Sequence, residues 1–192
     1  MLTLKKSEIK RAALVKATIS LVNNQGFHDA PMAKIAKMAN VSPATIYLYF
    51  ENKQDLINQV YIEVYGRYLD YAFKTYVENM SVQDGFKLIW HRIAKFKLEN
   101  EDEGFFLAQC QNTPMIDESS RQRGLKYLEP LLDLWKRGQD IGLIKPISPY
   151  LLYAYSIHPL GFLMHAQRSG EFKFTKAHLE HAYQMAWDSI KL

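Results

Sequence analysis

IAKMANVSPATIYLYFENK, residues 35 to 53, decides the fold. Ile35, Ala36 and Ala39 stand at helical spacing and Val41 closes a corner. Ser42 followed by Pro43 is then a start signal, an N-cap hydroxyl and a proline at the first helical position. The helix it opens is roughly two turns long. It carries Thr45, Ile46, Tyr47, Leu48, Tyr49 and Phe50, too many large side chains for one buried face of so short an element. Ile46 and Phe50, spaced i, i+4, anchor it inward, which turns Ala44, Thr45, Leu48 and Tyr49 towards solvent or a partner. A short exposed helix, braced by a preceding one and offered N-terminus first, has the geometry that enters a DNA major groove.

At these residues the sequence resembles the tetracycline-repressor (TetR) family of bacterial transcription regulators. The resemblance rests on Ile35, Ala36, Ala39, Val41, Ser42, Tyr47, Tyr49, Phe50, Lys53 and Leu56. Upstream it extends through Ala13, Leu14, Ala17, Leu21, Gly26 and Phe27. So many residue types at fixed offsets make a specific pattern. Asn40 departs from the family's usual glycine, and asparagine is the next best residue for a left-handed corner. Ala30, Pro31 and Met32 replace the threonines that usually open the first helix of the motif, which implies one phosphate contact fewer. The likeness covers roughly the first third of the chain, and beyond it only helical architecture matches.

Working outward, charge separates the chain into two parts. Residues 1 to 60 hold eight Lys or Arg against four acids, and the remaining basic and acidic residues cancel. The whole formal charge of +4 therefore lies in the segment that holds the motif, where a phosphate backbone would be met. A hydrophobic content of 48% with 23% charged residues belongs to a soluble globular protein, and 192 residues can bury a sizeable core. No apolar run approaches a membrane span and MLTLKKSEIKR has no signal-peptide core, so a cytoplasmic protein is expected. The single cysteine, Cys110, excludes an internal disulfide framework.

Apolar periodicity predicts an all-α chain of about nine helices. The first runs from Ser7 to Gln25 and stops at Gly26. After the motif Asn52 and Lys53 open a long aromatic-rich helix expected to run through Gln54 to about Met80, then helices over 83–99, about 118–141, about 149–169 and 175–190, with a short apolar piece over 105–110. Asn112, Thr113 and Pro114 read as a break, and Pro130 as a kink or early stop. On the penultimate helix Tyr150, Leu152, Tyr155, Leu160 and Phe162 are apolar nearly all round, so it must be buried on more than one side. No internal repeat, low-complexity tract or glycine-rich phosphate loop appears.

Catalytic and metal chemistry find little support. His178 and His181 share one helix face and His158 and His165 another, but neither pair gains a carboxylate or thiolate, and Glu180 points away from the first. They read as surface or interface histidines, and no metal or cofactor is expected. Cys110 ends an apolar run with no histidine near it in sequence, and no serine lies in a GxSxG context, so Cys110 reads as a buried structural thiol and no enzyme is expected.

The resemblance implies a helix-turn-helix DNA-binding domain over residues 1–52, with the motif at about 32–51, and a helical ligand-binding and dimerisation domain over 53–192. It implies a homodimer through the last two helices that binds a palindromic operator in double-stranded DNA, with recognition helices about 34 to 36 Å apart. Ser42, Pro43, Ala44, Thr45, Tyr47, Leu48 and Tyr49 would approach bases or backbone, Lys34 would join them at the DNA, and Tyr47 and Lys53 would hold phosphates. A small, largely apolar effector behind the long helix would release the DNA by population shift. Tyr65, Tyr68, Phe86, Trp90, Phe106, Cys110, Trp135 and His158 are the candidate lining. The alternative is a helical small-molecule-binding or adaptor module without sequence-specific DNA reading.

Overall fold

A computed structural model describes residues 5–111 and 113–192. Met1 to Leu4, at the head of the basic N-terminal run, and Asn112, the first residue of the expected break, lie outside them. The described residues form eleven helices. In order they are α1 (Lys6–Gln25), α2 (Met32–Met38), α3 (Pro43–Ile46), α4 (Lys53–Phe73), α5 (Val82–Glu99) and α6 (Glu101–Cys110), then α7 (Glu118–Lys126), α8 (Glu129–Asp140), α9 (Pro149–Ser156), α10 (Pro159–Arg168) and α11 (Lys176–Ile190).

Two prolines account for the difference from nine. Pro130, in the first turn of α8, divides the segment expected over 118–141, and Pro159, the first residue of α10, divides the one expected over 149–169. Each lacks the N–H that would continue the ladder. At the second break the His158 amide reaches back to Tyr153 O at 3.0 Å. The helix after the motif ends at Phe73, short of Met80, because Arg92 Nε takes Tyr71 O at 2.6 Å and Nη1 reaches Thr75 Oγ1 at 3.2 Å. α6 starts earlier than the apolar piece suggested: Glu101, Asp102 and Glu103 form its first turn, where the helix dipole favours acids.

The chain divides into two compact units, Met1–Tyr65 with Phe105–Arg123, and Gly66–Gly104 with Gly124–Leu192. In the first, α1 packs on α2 and α2 on α3 over Leu14, Val22, Ile35, Ile46, Phe50, Leu56 and Ile57, all buried. Gly26, at φ 78°, stops α1 with its amide on Val22 O, and Phe27 turns its ring to Phe106 at 6.3 Å. Asp117 begins α7 by accepting from the Ser120 amide at 2.7 Å, and the hydrogen bonds from Ser120, with a further one from Ser119, hold its carboxyl below the usual range; Asn58 Nδ2 also donates to it at 2.8 Å.

In the second unit α5 packs against α8, α10 and α11, and α9 against α11. Phe86 and Trp90 of α5 meet Tyr183 and Trp187 of α11, and Trp90 Nε1 donates to Ser156 O at 2.8 Å. α8 approaches closely at Gly138, where a Cβ would lie 2.6 Å from Ile144 Cδ1. Ile144 pairs with Lys191 in an antiparallel bridge that ties the loop after α8 to the chain end.

Candidate nucleic-acid interface

The corner before α3 is held by Asn40, at φ 54° the one non-glycine with positive φ among the described residues. Asparagine tolerates that left-handed turn, and the chain crosses it with Val41 N on Ala36 O at 3.0 Å. Ser42 then caps α3: its Oγ accepts from Thr45 N at 3.2 Å and lies 2.7 Å from Thr45 Oγ1. α3 itself is one turn, Pro43–Ile46, shorter than expected, and tighter turns carry the chain through Tyr47 to Tyr49. Ile46 and Phe50 are fully buried, and Arg11 of α1 lies over the Phe50 ring. Outward stand Ser42, Pro43, Ala44, Tyr47 and Leu48, with Thr45 and Tyr49 half-buried. Leu48 is 82% exposed. Such an apolar side chain contributes nothing to the fold and is free for a groove or a thymine methyl.

The two lysines expected at the DNA, Lys34 and Lys53, have partners within the first unit. Lys34 donates to Gln25 Oε1, and Lys53 Nζ donates to His28 O at 2.9 Å. Both acceptors are neutral, so a phosphate oxygen would form a stronger, charge-assisted bond with either ammonium. Asn52 caps α4, with Asp55 N donating to Asn52 Oδ1 at 3.0 Å, and the Asp55 carboxylate accepts from Glu51 N at 2.9 Å. With a carboxylate already at that helix end, the Lys53 side chain is the positive element there.

The eight candidate lining residues do not all fall in one unit. Tyr65, Phe106 and Cys110 belong to the first, and Tyr68, Phe86, Trp90, Trp135 and His158 to the second. Phe86 and Trp90 share contacts with Tyr183, and Trp135 is buried with no acceptor for its Nε1 among the described residues. His158 is exposed at the start of α10. Cys110 is fully buried and burial pushes its thiol up, the state of an inert structural cysteine.

Glu180 faces His91 at 3.3 Å rather than the His178 and His181 pair. Burial holds His91 below the ordinary imidazole range, with Glu180 opposing. No group of three or more His, Cys, Asp or Glu among the described residues could hold a metal ion. No helix of the described residues is long and apolar enough to cross a membrane.

Sequence reasoning passed over Lys97. It is only 9% exposed, and burial lowers its ammonium to about 8. Its signal was present: Phe86, Trp90, Ile93 and Lys97 follow the four, three, four spacing of one helix stripe, so the lysine continues the buried face of α5.

Two family models match the chain, "Bacterial regulatory proteins, tetR family" over residues 14–60 and "Tetracyclin repressor-like, C-terminal domain" over 81–191. An uncharacterised HTH-type transcriptional regulator of Haemophilus influenzae is 26% identical over 180 residues, 93% of this chain and 94% of that protein. The crystal structure of a TetR family transcription regulator from Marinobacter aquaeolei matches with a TM-score of 0.89 and 29% identity, covering 96% of each chain. The transcriptional regulator FadR of Bacillus subtilis, solved with stearoyl-CoA, shares the fold at a TM-score of 0.73 and 17% identity, covering 93% of this chain and 98% of that one.

Proposed function

This chain belongs to the tetracycline-repressor family of helix-turn-helix transcriptional regulators, and we propose that it acts as a homodimeric repressor of a palindromic operator, released by a small, largely apolar effector. The observation that carries the reading is the division of labour at α3. Ile46 and Phe50 fix the helix from beneath, while Ala44, Tyr47 and Leu48 stand clear of the core at its outer face and Thr45 lies half-buried beside them. Thr45 and Tyr49 read base edges, Ala44 or Leu48 meets a thymine methyl, and Ser42, Lys34, Tyr47 and Lys53 position the backbone. DNA reading falls to residues 1–52, and effector binding and dimerisation to 53–192. The adaptor reading offers no reason for the exposed helix to coincide with the chain's positive charge.

The second copy docks on the last helices. Tyr155, Phe162 and Met185 are 65%, 73% and 73% exposed, and they border an open groove of about 500 Å3 with Phe172, Phe174 and His181. A face of large apolar side chains from three consecutive elements calls for a cover, and a two-fold partner supplies the same face in return. Two recognition helices then meet successive turns of one face of the duplex, and a palindrome follows. The effector sits within the second unit, beside Tyr68, Phe86, Trp90 and Trp135, and its binding free energy favours the arrangement of the dimer that fits DNA less well. A fold neighbour solved with stearoyl-CoA agrees with an apolar effector.

Selection from a randomised duplex pool tests the reading. A palindrome bound about a thousandfold or more tighter than random DNA is expected. Weak binding that responds only to salt, from protein refolded free of copurified ligand, would refute it.

A further inference from the structure

Lys97 is a cation inside the second unit without a counter-charge. Its Nζ lies 5.5 Å from the Tyr68 ring centroid, and Tyr68 itself packs on Phe96 at 5.4 Å. On another side α6 passes so closely at Gly104 that a Cβ there would lie 3.6 Å from Lys97 Cα and Cγ and 3.2 Å from Met164 Cε. The acids nearest in sequence are engaged elsewhere. Glu99 pairs with Lys95 at 3.6 Å, Glu101 accepts from Gln167 at 3.0 Å, Asp102 pairs with Arg168 at 2.9 Å, and Glu103 pairs with Arg67 at 2.8 Å. No oxygen of the described residues accepts a hydrogen bond from Lys97 Nζ. An aromatic face offsets part of the cost of removing an ammonium from water, and a carboxylate offsets far more.

A lysine placed on the buried stripe of α5 could equally have been leucine for packing, so the charge calls for a reason outside the folded chain. We propose that Lys97 is the anion anchor of the effector site, holding the carboxylate of a small and otherwise largely apolar effector through a buried ion pair. This rests on the effector-release reading above and narrows its ligand class: a hydroxyl or ester could accept one hydrogen bond from Nζ, but only an anion neutralises it. The aromatic side chains of α4 and α5 suit the apolar remainder.

The test is titration calorimetry of the full-length protein at pH 7 and low salt with decanoate and 3-phenylpropionate, each against its uncharged match, decanol and 3-phenylpropanol. At least one carboxylate should bind tenfold or more tighter than its alcohol. Lys97→Met and Lys97→Gln, each confirmed as folded by cooperative unfolding, should remove that preference while leaving alcohol binding unchanged. The inference is overturned if acids and alcohols bind alike, if the preference survives in both variants, or if neither carboxylate binds. Operator affinity measured alongside separates the two readings. An alcohol that binds and loosens the operator complex leaves effector release standing and removes the anion anchor, whereas a stable operator complex that no compound binds or loosens removes both.

Discussion

Replacing Lys97 by methionine should stabilise the ligand-free protein, and the gain should fade as pH rises. Burial lowers the ammonium from 10.5 to about 8, and about 1.4 kcal/mol accompanies each unit, so the folded state at pH 7 carries about 3 kcal/mol of penalty for holding that charge. Methionine keeps the length and apolar stem of the side chain without the charge. Between about pH 8 and 10.5 the unfolded lysine holds its proton and the folded one has lost it. Unfolding then takes up protons, and wild-type stability climbs with pH. The ion pairs around it, Arg67 with Glu103 and Arg168 with Asp102, are common to both proteins and cancel in the difference. Urea unfolding followed by circular dichroism at pH 7, 8, 9 and 10, at one protein concentration, gives the comparison directly. The variant should lead by about 3 kcal/mol at pH 7 and by less than about 1 kcal/mol at pH 10. A lead that stays constant across this range, or a variant less stable at pH 7, would refute the account of Lys97 as a buried charge.

Thr45→Ala should flatten the operator preference at about one or two base pairs and leave the salt dependence unchanged, measured by competition among single-base variants of the selected site. Undiminished discrimination would remove Thr45 from the reading set. Gly138→Ala should cost about 1 to 3 kcal/mol in urea unfolding, because the new methyl meets Ile144 Cδ1 at 2.6 Å and Val82 Cγ1 at 3.0 Å. Stabilisation, as helix propensity alone would give, would show that the Ile144 side chain yields freely. Cys110, fully buried with its thiol pushed up, should resist a disulfide reagent at pH 8 until the protein unfolds, so thiol release should follow the urea transition. Rapid labelling of the native protein would contradict that burial.

The corner and its helix were legible because every cue there is local: the Ser42 hydroxyl, the Pro43 ring, the left-handed tolerance of Asn40 and the i, i+4 pair Ile46 and Phe50. Pro130 announced the break before α8 for the same reason. Pro159 did not, because the mostly apolar stretch from Tyr150 to Met164 outweighed one residue in the periodicity. The end of α4 was out of reach of any local rule, since Arg92, which takes Tyr71 O, comes from the next helix. The candidate lining gathered residues by type along the sequence, and chain folding distributes them over two units, with His158 at the surface. Lys97 was hidden by its own chemistry. A charge on a helix is usually a solvated one, and only strict counting of the α5 stripe would have placed it inside.

The construction of α3 bears on how such a regulator can change its target. Folding depends on Ser42, Ile46 and Phe50, while Ala44, Tyr47 and Leu48 touch solvent and hold nothing in place. Substitutions at those outer positions are therefore close to neutral for stability, and a lineage can drift through many of them without losing a folded protein. New operators then become accessible by exchanging Ala44 and Leu48 on an unchanged frame, and together with Thr45 and Tyr49 these are the positions to randomise when a repressor of altered specificity is wanted.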